Sequence, residues 1–307
     1  VTFSGQSLRN VVGWWAFGVI AAISGVMLFL VFVREGHRVQ WRALPAMACA
    51  YTILCMVSVI WSHYPRETVL AGLLMLATTT TGVLLACGLS LRQFTDALSR
   101  ALEATLVLSF LLELYVALVL REPLVPIYMK DWEEVPPSYI WVEGNIFQGG
   151  PIQGIVGNRN PLAFIALLTL ICVVVRWRDY RLRLPNFLIW STLSIMTLIL
   201  TGSATVIVAA VVCGIVMLFL WLLRHVPVAL RTTVIVAAST LGVAVIVFAI
   251  GWHSQVTALL GRSPDMTGRW EIWLKVIDLW EQHTFLGWGW IMYWVPWIPM
   301  FGTLVIR

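Results

Sequence analysis

Apolar residues run along this chain in long blocks, at about 11–33, 43–61, 68–91, 101–120, 160–175, 186–201, 204–223 and 232–251, and polar residues gather in the gaps. A helix rises about 1.5 Å per residue, so about 20 apolar residues cross a hydrocarbon core of about 30 Å. The pattern therefore predicts eight membrane-spanning helices. The blocks 160–175 and 186–201 reach only about 24 Å. They must extend into their flanks or end in a polar pocket.

After residue 251 the pattern changes. Trp270, Trp273, Leu274, Ile277 and Trp280 recur at helical spacing on one side, while Arg269, Glu271, Lys275, Asp278 and Gln282 occupy the rest. This predicts an amphipathic helix over 268–282 lying flat in the membrane interface with its tryptophans inward.

Composition agrees with the pattern. Of 307 residues, 60% are hydrophobic and 11% charged, against roughly a quarter charged in soluble domains. The fold class is all-α: one polytopic membrane bundle over residues 1–307, with about eight spans and an interfacial helix. Residues 11–33 read as a retained helix, since no small-residue cleavage site follows them. The five cysteines all sit inside apolar blocks, which predicts packing residues and no disulfide framework.

Charge orients the bundle. Eight spans alternate the loops between two faces. One face collects Arg34, Arg38 and Arg42; Arg92 and Arg100; Arg176, Arg178, Arg181 and Arg183; Arg224 and Arg231. These short basic loops are expected to be cytoplasmic. The net charge of +5 comes largely from them and gives no reason to expect nucleic acid. The other face receives 62–67, 121–159, 201–203 and 252–307. The first eight residues fall there too, which leaves room for an earlier span.

The candidate chemistry lies on that second, external face. Arg66, Arg121, Lys130, Arg159, Arg262, Arg269 and Lys275 stand where basic residues should be scarce. Surface ion pairs with Glu67, Glu122 and Glu271 would account for some. Their recurrence at span ends also suits a shared anionic ligand, because a guanidinium fork binds phosphate oxygens two at a time. Gly157-Asn-Arg-Asn-Pro161 opens a helix, with Asn160 as a possible cap and Pro161 in the first turn. Thr201-Gly-Ser203 breaks an apolar stretch, and Ser203 can cap the helix beyond it. Both are ordinary caps or, as helix N-termini, anion sites. The 121–159 loop mixes acids with Trp132, Trp141, Tyr128 and Tyr139, which suits sugar binding or an interfacial belt equally. Glu103 and Glu113 lie within the fourth span, where carboxylates are paired or functional.

Several of these segments together resemble the O-antigen ligase and O-antigen polymerase family of bacterial envelope glycosyltransferases. The matching residues are Trp61-Ser62 with Pro65, Gly157-Asn-Arg-Asn-Pro161, Thr201-Gly-Ser203, and Thr267-Gly-Arg-Trp-Glu-Ile-Trp273 followed by His283-Thr-Phe-Leu-Gly-Trp-Gly289. The resemblance implies a GT-C-like enzyme, multi-pass in the plasma membrane, with its active site facing the periplasm or cell exterior. It implies a polyprenyl-diphosphate-linked glycan as donor and a glycan, glycolipid or protein as acceptor, without metal or nucleotide sugar. Arg269 fits the family's Gly-Arg position, with Arg262 nearby. Ala204 stands where many ligases carry arginine, so Arg159, and after it Arg66, is expected to supply further charge beside Ser203. Trp132, Trp141 and Glu143 are the glycan-binding candidates. The family's histidine-asparagine motif is expected beyond Arg307, with the chain truncated before it, or else the base differs; within the chain His283 is the candidate base, and His253 is the other external histidine. A polymerase would share the donor and differ in acceptor. A transporter or flippase for a lipid-linked anion would show related halves, and no internal repeat is visible.

Overall fold

The computed structural model describes residues 5–130, 139–179, 181–251 and 269–291. Its elements are helical: α1 (Gly5–Arg34), α2 (Ala46–Val57), α3 (Pro65–Gly88), α4 (Leu91–Tyr115), α5 (Arg159–Arg178), α6 (Leu184–Thr201), α7 (Ala204–Leu223), α8 (Val228–Gly251) and α9 (Arg269–Gln282). Among the described residues the only β pairing is an isolated bridge between Leu124 and Val142.

Each apolar block forms one helix. Six are long and apolar enough to cross a membrane, and the described parts of α2 and α8 are shorter apolar helices. The two short blocks extend into their flanks: α5 has 20 residues and α6 has 18. Helix ends follow local chemistry. Ser90 and Gln93 close a capping box at the start of α4, with Gln93 N–H donating to Ser90 Oγ and Ser90 N–H donating to Gln93 Oε1. Helix α6 starts with Pro185 in its first turn and ends at Gly202. In α1, Gly13 leaves helical geometry at φ 78°, so Gly5–Val12 is a separate short piece ahead of the apolar span.

The chain forms two compact units, residues 1–38 with 84–219 and residues 39–83 with 220–307. The first is built around α4 and α5. Leu102, Leu106, Leu162, Ala163 and Ala166 are fully buried there, joined by Leu198 of α6 and by Ile152 and Ile155 of the loop before α5. At the end where α4 begins and α5 finishes, Arg176 donates to Glu103 at 2.7 Å and lies 3.2 Å from Asp96. Arg181 reaches Asp96 at 2.7 Å and Asp179 at 3.1 Å. Glu103 is thus a paired structural carboxylate, the plainer of its two readings. The five cysteines are free.

At the other end of this unit the loop between α4 and α5 folds back onto the helices. Glu113 explains how. Its side chain is buried, and Oε1 accepts the N–H groups of Gln153 (2.7 Å) and Gly154 (2.8 Å). Ser109 Oγ, one turn earlier, accepts the N–H of Ile155. Gly154 sits at φ 56°, and any Cβ there would collide with Ser109, so the close approach needs glycine. The carboxylate supplies an irregular segment with the hydrogen-bond partners it cannot obtain from itself.

Candidate functional site

The motif-bearing segments meet in pairs, one pair within each unit. In the first unit, the 3-10 turn Gly154–Val156 delivers the chain to Gly157, at φ 69°, and then to α5. Asn158 is the N-cap, its Oδ1 accepting Asn160 N–H at 3.0 Å. Asn160 therefore is not the cap, and Pro161 sits at the third helical position. Asn160 does something else: its Oδ1 accepts the hydroxyl of buried Ser203 at 2.8 Å. Ser203 likewise uses its hydroxyl to tie α7 to α5, while its carbonyl accepts Val206 and Ile207 N–H. Ile152 N–H donates to Leu200 O and fixes the same junction from the loop side.

Between Asn158 and Asn160 stands Arg159, exposed and without a hydrogen bond or ion pair among the described residues. Of the first-turn N–H groups of α5, that of Asn160 goes to Asn158 Oδ1, that of Leu162 goes to Asn158 O, and Pro161 has none, so the side chain of Arg159 is the main feature this helix start offers an anion. A helix start carrying an unspent cation favours an anion there.

In the second unit the turn after α2 receives the segment after α9. Trp61 Nε1 donates to Leu286 O at 2.8 Å, Ser62 Oγ to Trp288 O at 3.2 Å, and Trp290 N–H to Ser58 Oγ at 2.9 Å. Trp288 Nε1 donates to Leu279 O, binding the segment back to α9. Rings complete the clasp: His283 lies 4.5 Å from His63 and 4.3 Å from Trp288, centroid to centroid. Gly289 sits at φ 93°, and a Cβ on it would lie 2.5 Å from Ser62 Oγ. Gly289→Ala should therefore open the clasp, at about 1–2 kcal/mol for the left-handed backbone alone. Amide exchange over 283–291 should speed up while α4 and α5 stay as protected as before. Unchanged exchange over 283–291 would mean that the turn does not need glycine.

The other candidate residues are scattered. Arg269 is the first residue of α9, and its side chain lies outside the described residues. Arg262 and Trp132 also lie outside them. Arg66 is exposed in the first turn of α3, in the second unit. The amphipathic helix forms as expected, and Trp273, Ile277 and Trp280 are exposed on it. Glu143 is half-buried and accepts Asn145 Nδ2 at 2.6 Å and Gln153 Nε2 at 3.1 Å. Trp141 corrects an expectation. It is only 6% exposed, and its Nε1 donates to Ile155 O at 3.2 Å, so its ring walls the loop rather than offering a face to a sugar. Phe147, which no sequence motif marks, is 64% exposed.

Residues 187–303 match a family model described as O-antigen ligase. This part of the chain belongs to the O-antigen ligase family. No curated protein and no solved structure matches the chain. The O-antigen ligase segment contains Thr201-Gly-Ser203, Arg269 and the Gly287-Trp-Gly289 turn, but neither Trp61-Ser62 nor Asn158–Pro161. Those two outlying motifs are the ones hydrogen-bonded to it, Asn160 to Ser203 and Trp61 and Ser62 to Leu286 and Trp288. The chain is a helical membrane protein with a glycosyltransferase-like, O-antigen ligase or polymerase type of domain.

Proposed function

We propose that the protein transfers a glycan from a polyprenyl-diphosphate carrier to a saccharide, lipid or protein acceptor at the external face of a bacterial plasma membrane, without metal or cofactor. The observation that carries this reading is the O-antigen ligase match, whose Ser203 is bonded into the helix start that bears Arg159. In the reaction the bond between the sugar's anomeric carbon and the diphosphate oxygen breaks. A bond to the acceptor oxygen forms, and the acceptor's proton passes to a base. The diphosphate leaves as an anion, so positive charge lowers the barrier more than protonation does. Arg159, at the helix start that Ser203 ties to α7 through Asn160, is our first candidate for that charge. Arg269, Arg262 and Arg66 are further candidates, each with its own substitution test. We assign His283 to holding the clasp, because its ring is packed between His63 and Trp288.

The test is in vitro transfer from a polyprenyl-diphosphate glycan by the full chain. Offering a lipid-linked core saccharide, a protein and a second donor glycan as acceptors separates ligase from polymerase. Movement of the donor across a vesicle bilayer without transfer would instead make the protein a flippase. Topology has its own check. A cysteine placed at exposed Thr284 should react with a membrane-impermeant maleimide in intact cells. Reaction only after the cytoplasm is opened would place the clasp on the wrong side for this chemistry.

A further inference from the structure

Resting on the assignment of Arg159 to the diphosphate, we propose that Glu113 is a positioning residue for glycan transfer: by holding the backbone at Gln153 and Gly154 it sets where the Arg159 guanidinium stands. The Arg159 side chain is exposed and makes no hydrogen bond or ion pair among the described residues. No bond there fixes the guanidinium from its own end, so its place depends on where the backbone carries it. That backbone is the start of α5, delivered by the turn Gly154–Val156 and capped by Asn158.

The turn is irregular, so its N–H groups need acceptors from elsewhere. Glu113 Oε1 takes two consecutive ones, from Gln153 at 2.7 Å and Gly154 at 2.8 Å, and Ser109 Oγ takes the next, from Ile155 at 3.3 Å. Ser109 and Glu113 are four positions apart, hence on one face of α4. The turn is walled at its sides as well. Trp141 Nε1 donates to Ile155 O, and a Cβ on Gly157 would lie 2.7 Å from Gln6 Nε2 and 3.0 Å from Trp141 Cδ1. The second oxygen of Glu113, Oε2, is buried and has no hydrogen-bond partner among the described residues. What the turn uses is therefore one acceptor at a fixed reach from α4. Such a frame matters to the reaction because a contact to developing negative charge is most effective when preorganised.

Initial rates of transfer from a polyprenyl-diphosphate glycan by the full chain test this with two substitutions of opposite kind. Glu113→Gln keeps the reach and the acceptor and gives up the carboxyl. Glu113→Asp keeps the carboxyl and shortens the reach by one methylene. Glu113→Gln should stay within about threefold of wild type, less than one typical hydrogen bond contributes. Glu113→Asp should lower kcat/KM about tenfold or more, since a misplacement of about 1 Å can cost about 100-fold. That loss should disappear in an Arg159→Ala background, because residues acting through one contact are not additive. Ser109→Ala, which removes only the acceptor of Ile155 N–H, should show a smaller loss with the same dependence on Arg159, and it replaces Glu113→Asp should that variant not fold. A role for charge would reverse the order of the two Glu113 variants. A merely structural role would cost as much without Arg159 as with it. Either result overturns the proposal while the transfer reading stands. A wild type that transfers no glycan, or an Arg159→Ala variant that transfers as well as wild type, removes the reading beneath it and the proposal together.

Discussion

Arg159→Ala is expected to lower glycan transfer about 100-fold or more, the usual loss when one preorganised contact to a developing negative charge is removed. A residue in that role must be free for a ligand and dispensable for folding, and the setting of Arg159 supports both. It is exposed, holds no hydrogen bond or ion pair among the described residues, and stands between two asparagines that do the structural work. Thermal stability of the variant should therefore match wild type. Arg159→Lys should restore only part of the activity, because an ammonium cannot hold two phosphate oxygens in the guanidinium's fixed fork. Asn160→Ala should behave differently, lowering stability as well as rate, since it releases Ser203 and with it the junction of α5 and α7. Transfer by Arg159→Ala within about threefold of wild type, well inside the effect of one such contact, would remove the diphosphate from this helix start. Arg269→Ala, measured in the same assay, would then carry the proposal alone.

Much of the fold was legible because hydrophobic length is a one-dimensional signal. Every apolar block maps onto a helix, and the amphipathic repeat from Trp270 to Trp280 maps onto α9. The positions of the motifs were legible too, since Gly, Asn, Ser and Pro mark breaks wherever they occur. What they bond to was not. Trp61 meets Leu286 across 225 positions and Ser203 meets Asn160 across 43, and periodicity carries no information about such partners. The difference between Asn158 and Asn160 as cap is a shift of two residues at a helix boundary, where several residues could each cap. Trp141 misled for a related reason. A tryptophan in a loop can present its face or anchor the loop, and only the carbonyl of Ile155 14 residues away decides between them. Glu113 is recognisable as costly within an apolar run, but its purpose depends on two backbone N–H groups that no side-chain pattern reveals.

The arginines of the α4–α5 end show the same limit and give the largest expected loss of stability. Read as a run of charges, Arg176 and Arg181 report only orientation. In the folded chain they neutralise Asp96, Glu103 and Asp179, with Ser99 Oγ receiving one guanidinium N–H and donating to Glu103. The Arg176 and Glu103 side chains are only 13% and 9% exposed, so solvent screens them little. Arg176→Leu should therefore destabilise the protein by about 3–5 kcal/mol, the cost of stranding a buried partner charge rather than the net worth of the pair. Thermal or denaturant unfolding in detergent measures it. A second variant separates the two origins. If stranding is the cost, the double variant Arg176→Leu with Glu103→Leu should recover at least half of the loss, because no buried carboxylate remains there to be compensated. If the attraction itself is the source, the double variant should be no more stable than the single one. A loss below about 1 kcal/mol in Arg176→Leu, the range of exposed ion pairs, would show that water reaches this end of the bundle and that the arginines serve orientation alone.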